Sequence, residues 1–269
     1  MKQLYRFRFP LLALSLVAGL AHADFNAGMT AFKARDYAAA QREWQPLAEA
    51  GDADAQFQLG FMYANGMGMP QDFARALDWF HRSAAQGNAK AECKLGAAYV
   101  LGLGVKQDDA QGASWYRRSA EKGNAEAQYV LGQLYVTGRG VSPDEGKAFG
   151  WFQKAAAQGN AEAQYNVGLM YSAGGVIPRD QAQATAWFQK AAEQGQATAQ
   201  LALGAMYAQG NGVPKDMQLA YQWVSLSAMQ GVPSAVLAQK KIESNLGYFE
   251  LRHAKAAVNA WLAAHAAAK

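Results

Sequence analysis

The residue types able to do chemistry in this 269-residue chain are few, and the first question is whether any of them stand at a working distance from one another in sequence. His81, His253 and His265 are too far apart to match a metal-ligand spacing, and no acid pair accompanies any of them in a recognisable motif. The single cysteine, Cys93, allows no disulfide within one chain. No serine occupies a nucleophile elbow. The stretch "YVTGRGVSPD", Tyr135 to Asp144, has the look of a phosphate-cradling loop, with two glycines around an arginine and an aspartate just beyond. A phosphate loop, however, is one glycine-rich turn entering a helix behind a strand. This turn recurs. Tyr63, Tyr99, Tyr135, Tyr171 and Tyr207 are spaced by 36 residues, as are Asp72, Asp108, Asp144, Asp180 and Asp216, and Trp79, Trp115, Trp151, Trp187 and Trp223. The loop is punctuation in a repeat, and the expectation is a chain with no catalytic residues, no metal site and no cofactor.

The repeating unit is a helical hairpin. Its clearest copy, "GNAEAQYVLGQLYVTGRGVSPDEGKAFGWFQKAAAQ", begins at Gly123 and has counterparts beginning at Gly51, Gly87, Gly159 and Gly195. Asp52, Asn88, Asn124 and Asn160 stand where an N-cap is wanted, and Ala127, Leu131 and Tyr135 recur every four residues on one helix face. Gly60, Gly96, Gly132, Gly168 and Gly204 fall inside the first helix, where glycine costs about 1 kcal/mol relative to alanine; close approach of a neighbouring helix is the expected return. Gly66, Gly102, Gly138, Gly174 and Gly210 are placed to end that helix in the left-handed conformation. Val105, Val141, Ile177 and Val213 are expected to plug the gap between the helices, and the repeated Asp caps the second helix, with Gln111 and Gln183 three residues on as in a capping box. The repeated Trp is expected to be structural and buried.

A lone hairpin cannot bury its apolar face, whereas hairpins in series make a continuous core. The blocks "AEAQYxLGxxY", "GxGVxxD" and "AxxWFxKAAxxG", found across residues 51–230, resemble the Sel1-like repeat, a relative of the tetratricopeptide repeat. The resemblance implies an all-α, right-handed α-solenoid and a role as adaptor or scaffold. Residues 24–50 form an N-terminal tetratricopeptide-like hairpin with a short turn at Ala34 to Asp36, residues 51–230 hold five 36-residue repeats, and residues 231–269 are C-terminal capping helices carrying Phe249, Ala256 and Trp261. A single array without a linker is expected.

Residues 1–23 have the layout of a secretory signal: Lys2, Arg6 and Arg8, an apolar run from Phe9 to Leu20, and the small-x-small site Ala21-His22-Ala23. Cleavage near Ala23 would leave a chain starting at Asp24, periplasmic or secreted. The apolar run is too short to span a bilayer. Three of the 25 basic residues lie in this leader and none of the 21 acids do, so the remainder balances 22 against 21, about +1. That balance removes the electrostatic case for nucleic acid, and the expected partner is another polypeptide, with no membrane span.

Some relatives that the resemblance brings in have been assigned β-lactamase activity, but those are rich in paired cysteines, and this chain departs from them. A hydrolase acting on cell-wall or lactam substrates is therefore the alternative rather than the leading reading. In tetratricopeptide-like arrays the first helix of each pair lines the concave face. The resemblance maps that lining onto Phe57, Phe61, Cys93, Ala97, Val100, Tyr129, Gln133, Val136, Tyr165, Leu169 and Leu201, of which Phe57, Phe61, Tyr129, Gln133, Tyr165 and Leu169 are the candidate partner-binding residues. Only Lys90 places a cation in such a groove position. Cys93 stands where other repeats have Phe57, Tyr129, Tyr165 and Leu201, and so reads as a small apolar side chain.

Overall fold

The computed structural model describes residues 25–266, and among them the regular structure is entirely helical. Fourteen helices follow one another: α1 (25–33), α2 (Tyr37–Glu49), α3 (Ala53–Asn65), α4 (Phe73–Ala85), α5 (Ala89–Leu101), α6 (Asp109–Glu121), α7 (Ala125–Thr137), α8 (Glu145–Ala157), α9 (Ala161–Ala173), α10 (Gln181–Glu193), α11 (Ala197–Gln209), α12 (Met217–Met229), α13 (Pro233–Glu243) and α14 (Tyr248–Ala266). The expected leader, residues 1–23, lies outside the described residues. Among the described residues no helix is long and apolar enough to cross a membrane.

Each hairpin is built from the local signals that its sequence repeats. The first helix opens on a side chain that accepts from the backbone of the third helical residue, Asn124 from Ala127 N–H at 2.9 Å and likewise Asp52, Asn88 and Asn160. Gln196 takes the same role in the last repeat through Ala199 N–H. The first helix closes on a positive-φ glycine, with Gly138 at φ 70°. Gly174 shares the positive φ but turns out at ψ −166°, where the fourth copy reads "GGVIPRD". The loop is then fastened by one backbone bond that explains the nine-residue spacing of the repeated Tyr and Asp: Asp144 N–H donates to Tyr135 O at 3.0 Å, with the same bond from Asp72, Asp108, Asp180 and Asp216. The Asp carboxylate in turn caps the second helix, as Asp108 does by accepting from Gln111 N–H at 2.9 Å.

The helix-interior glycines are explained by what faces them. A Cβ on Gly132 would sit 2.6 Å from the Phe152 ring; on Gly60 and Gly168 it would meet Phe80 and Phe188 at 2.7 Å, and on Gly96 the Tyr116 ring at 2.8 Å. Each of these four glycines is the seat of a buried ring from the second helix of its own hairpin, and Gly204 is the seat of the buried Val224 instead. The expectation that the repeated tryptophans fill the core is therefore corrected. The buried ring belongs to the residue after the Trp, while Trp79, Trp115, Trp151 and Trp187 are only half-buried. Each of the four is covered by a cation one turn further on, from Lys154 Nζ at 4.0 Å above Trp151 to Arg82 at 4.7 Å above Trp79. Trp223 differs because Leu226 stands where the cation would be, and Trp261 of α14 packs against it edge-on at 6.3 Å; it is buried at 7% exposure.

A ladder of amides that was not anticipated links the end of each second helix to the first helix of the same hairpin. Gln86 donates to Gln56 Oε1, Gln158 to Gln128, Gln194 to Gln164 and Gln230 to Gln200, all at 2.8–2.9 Å across 30 residues. The other end of the buried amide is also satisfied: Gln56, Gln164 and Gln200 donate to the carbonyls of Ala48, Ala156 and Ala192. At the remaining rung the amides are replaced by charges. Glu92 Oε1, fully buried, accepts from Lys122 at 2.8 Å and Arg118 at 2.9 Å, whereas Glu92 Oε2 has no hydrogen-bond partner.

Among the described residues the chain divides, between Lys122 and Gly123 at a repeat boundary, into two compact units. The first unit includes the N-terminal hairpin, in which Trp44 is fully buried beneath Phe25 and Phe32, and the repeats built on α3 to α6. The second holds α7 to α14; there α13 and α14 both pack on α12. Phe249, expected in the cap, is 71% exposed, while Ala254 and Val258 make the buried contact of α14.

Candidate functional site

The candidate residues occupy two positions four residues apart on the first helix of each hairpin, so that within a helix they form one stripe. In the first unit, Phe57 and Phe61 are half-buried. Phe57 packs on Phe61 at 6.3 Å and on the core ring Phe80 at 6.0 Å, while Phe61 is met edge-on by Phe32 of α1 at 6.3 Å. The same stripe on α5 carries Cys93 and Ala97. Cys93 is buried, as its reading as a small apolar residue requires, and Val100 is buried too, so neither offers the surface that the groove mapping assigned to it. Ala97 is small where Phe61 is large. A cavity of about 200 Å³ opens there, walled by Phe61, Leu77 and Phe80 with Lys94 among its lining.

In the second unit the stripe is more polar and more open. Tyr129 lies against Phe152 at 5.9 Å, and its hydroxyl accepts from Gln133 Nε2 at 2.7 Å. Burial raises the Tyr129 pKa above its ordinary value and the nearby Glu162 carboxylate adds to the shift, while the Gln133 bond opposes it. Tyr165 repeats the arrangement against Phe188 at 5.7 Å. Gln133, Val136 and Leu169 are exposed, Val136 at 53% and Leu169 at 39%. Phe57, Tyr129 and Tyr165 thus each have one side on the core ring of their own hairpin and the rest partly open, while Phe61 packs on Phe57 and Phe32.

The residues that could have done chemistry are otherwise engaged. His81 is flanked by Tyr99 at 6.4 Å and Trp115 at 5.7 Å, and desolvation by these neighbours lowers its pKa, with Asp78 opposing. The buried acid Glu92 is held by Arg118 and Lys122. In the second unit His265 stacks on Trp261 at 3.6 Å, and His253 lies on the exposed side of α14. Among the described residues no group of three or more His, Cys, Asp or Glu is placed to hold a metal ion.

A stretch of this surface was missed from sequence. Helix α13 begins 36 residues after α11, so Leu237 falls at the position of Leu201, Tyr165 and Tyr129, and Lys241 at that of Ala205, Leu169 and Gln133. It is a sixth first helix stripped of its motif: Lys240 replaces the glycine and Pro233 opens the helix. The 36-residue register was the only signal that could have found it.

The profile of the Sel1 repeat matches five consecutive segments of the chain, residues 53–88, 89–124, 125–160, 161–196 and 197–232. Among solved structures, a Sel1 repeat protein from Oxalobacter formigenes is 29% identical and superposes with a TM-score of 0.75, over 87% of this chain and 96% of that one. An immunity protein from Pseudomonas aeruginosa shares the fold at 17% identity, with a TM-score of 0.51 over 77% of this chain and 82% of that one. No curated protein sequence matches the chain.

Proposed function

The chain belongs to the Sel1 repeat family, whose members are generally protein-interaction scaffolds, and from that membership we propose that it is an exported scaffold holding a partner polypeptide on the first-helix stripes that its units carry, as a regulator or assembly factor of the cell envelope. The observation that carries this reading is the stripe itself. Phe57 and Phe61 in one unit, and Tyr129, Gln133, Tyr165 and Leu169 in the other, stay partly or largely open although apolar and aromatic side chains dominate the set. A solenoid can bury aromatics between its layers, so partly open ones at the same helical position in several repeats suit a surface built to be covered. Interface energy gathers on a few large aromatic anchors, and anchors in successive repeats suit an extended segment or a helix. The leader-like residues 1–23 supply the export; a mature N-terminus at Asp24, read by mass spectrometry of the protein recovered from the envelope fraction, tests that part.

The binding reading is tested by affinity capture with crosslinking from an envelope extract, comparing wild type with Tyr129→Ala/Tyr165→Ala. Capture should fall by about tenfold or more, equivalent to roughly 1.4 kcal/mol per decade, with helical content unchanged. Retention of the same partners at wild-type strength by the folded variant would place the binding surface elsewhere.

A further inference from the structure

The first-helix stripe continues past the last repeat and there changes character. Leu237 is 71% exposed, and Lys241, one helical turn on, is exposed as well. Between α11, α12 and α13 lies a cavity of about 550 Å³ whose floor is the buried pair Val224 and Ile242, with Leu201 at its side. Ala205 opens it, as Ala97 opens the smaller cavity of the first unit: a Phe, Gln or Leu fills that position in the other repeats. Lys215 and Lys241 stand on its lining, and no carboxylate does among the described residues. The carboxylates nearest to them in sequence are already used. Glu243 is held by Lys255 at 2.9 Å, and Asp216 accepts from Gln218 and Leu219 N–H at the head of α12.

An apolar floor wide enough for a large side chain, with two ammonium groups and no acid, selects an occupant that is apolar at its centre and anionic around it. We propose that this pocket docks a polypeptide segment in which one large apolar residue is flanked by Asp or Glu. The apolar side chain enters over Val224 and Ile242, displacing water from the part of the cavity that has no polar partner to offer. Lys215 and Lys241 meet the flanking carboxylates. Ammonium groups are compact charges without the fixed fork of a guanidinium, so they read the sign of the flanks rather than one carboxylate geometry. Leu237 extends the apolar strip beyond the pocket. The inference rests on the reading that the first-helix face holds polypeptide, and adds to it the chemistry of one end.

The test uses the full-length mature chain and three capped, fluorescein-labelled dodecapeptides, each with a central Leu flanked on both sides by Glu, Ser or Lys, in anisotropy titrations at low salt. The Glu-flanked peptide should bind about tenfold or more tightly than the Ser-flanked one, with the difference shrinking as salt rises. Lys215→Glu/Lys241→Glu, both changes on exposed side chains, should reverse the preference to the Lys-flanked peptide. Ala205→Trp should abolish binding of all three. Equal binding of Glu- and Ser-flanked peptides, or an unreversed preference in the charge-swapped variant, would overturn the proposal. So would binding of dodecanoate but of no peptide, which would make the pocket a site for a small amphiphile. The two readings fail separately: Tyr129→Ala/Tyr165→Ala reports on partner capture, whereas the pocket is judged by the peptide preference and its reversal.

Discussion

The rung at which Glu92 and Lys122 replace two glutamines allows the hairpin architecture to be tested by restoring the repeat's own solution. Glu92 is fully buried, with one oxygen paired to Lys122 and Arg118 and the other without a partner. In three other repeats the corresponding glutamine uses its second polar atom to donate to the carbonyl eight residues earlier, at 3.0–3.2 Å. A carboxylate cannot donate there. Glu92→Gln should therefore keep an acceptor for Lys122 and gain a donor for Ala84 O, leaving stability within about 1 kcal/mol of wild type or improving it. Lys122→Gln alone leaves the buried carboxylate to Arg118. The cost of breaking a buried pair, about 3–5 kcal/mol, has to be discounted because the Lys122 side chain is 38% exposed and Arg118 remains in place; about 1–3 kcal/mol is the expectation. That corresponds to a drop in Tm of about 2–12 °C for a domain of this size. The double variant rebuilds the Gln–Gln rung and should return to within about 1 kcal/mol of wild type, so the two changes are strongly non-additive. Thermal and urea unfolding of the four proteins, followed by far-ultraviolet circular dichroism, measures the cycle. Additive effects, or Glu92→Gln as the most damaging change, would refute the reasoning.

Phe152→Ala should cost about 3–5 kcal/mol, as removal of a buried ring does, and Trp151→Ala clearly less, because its ring is half-exposed under Lys154; equal losses in urea midpoint would contradict the assignment of the core ring. Gly132→Ala should destabilise by up to about 2 kcal/mol, since a Cβ 2.6 Å from the Phe152 ring outweighs the gain of about 1 kcal/mol in helix propensity, and a stabilised variant would refute the account of the interior glycines. Tyr129 should ionise above 10.0 in a spectrophotometric titration, and Glu162→Gln should lower that midpoint by removing the nearby charge. Because the folded chain holds this proton longer than the unfolded chain, the Tyr129 contribution to stability is full below 10.0 and is lost above it, as pH rises through the raised folded value. Turnover of a chromogenic lactam or of peptidoglycan fragments should be absent; activity abolished by His81→Ala would establish an enzyme.

What was legible in the sequence is what the backbone demands at a fixed interval. Positive φ at Gly138, the caps at Asn124 and Asp144 and the close helix approach at Gly132 each favour a particular residue type, and recurrence at 36 residues reveals the need without any structure. What failed to show is what depends on the partner surface. Trp151 and Phe152 are adjacent and both apolar; which one enters the core is decided by the glycine across the hairpin, and recurrence at 36 residues does not tell one position from the other. Nothing local in the sequence shows that Gln128 and Gln158 meet across 30 residues. The division between Lys122 and Gly123 falls where one repeat follows the next as at every other repeat junction, so composition carries no mark of it. At the candidate site the stripe through Tyr129 and Tyr165 could be read from register, whereas its extension to Leu237 and Lys241 was hidden by the loss of the motif in α13.

The central claim is that partners lie on the first-helix face, and position-specific photocrosslinking addresses it most directly. A photoreactive amino acid placed at Val136 or Leu169, exposed on α7 and α9, is compared with one placed at Ala186 or Gln189, exposed on the second helix α10. After irradiation in an envelope extract, positions 136 and 169 should yield the same discrete crosslinked polypeptide, and positions 186 and 189 should not. Crosslinks confined to 186 and 189, or none at 136 and 169 from protein that still captures its partner, would contradict the account.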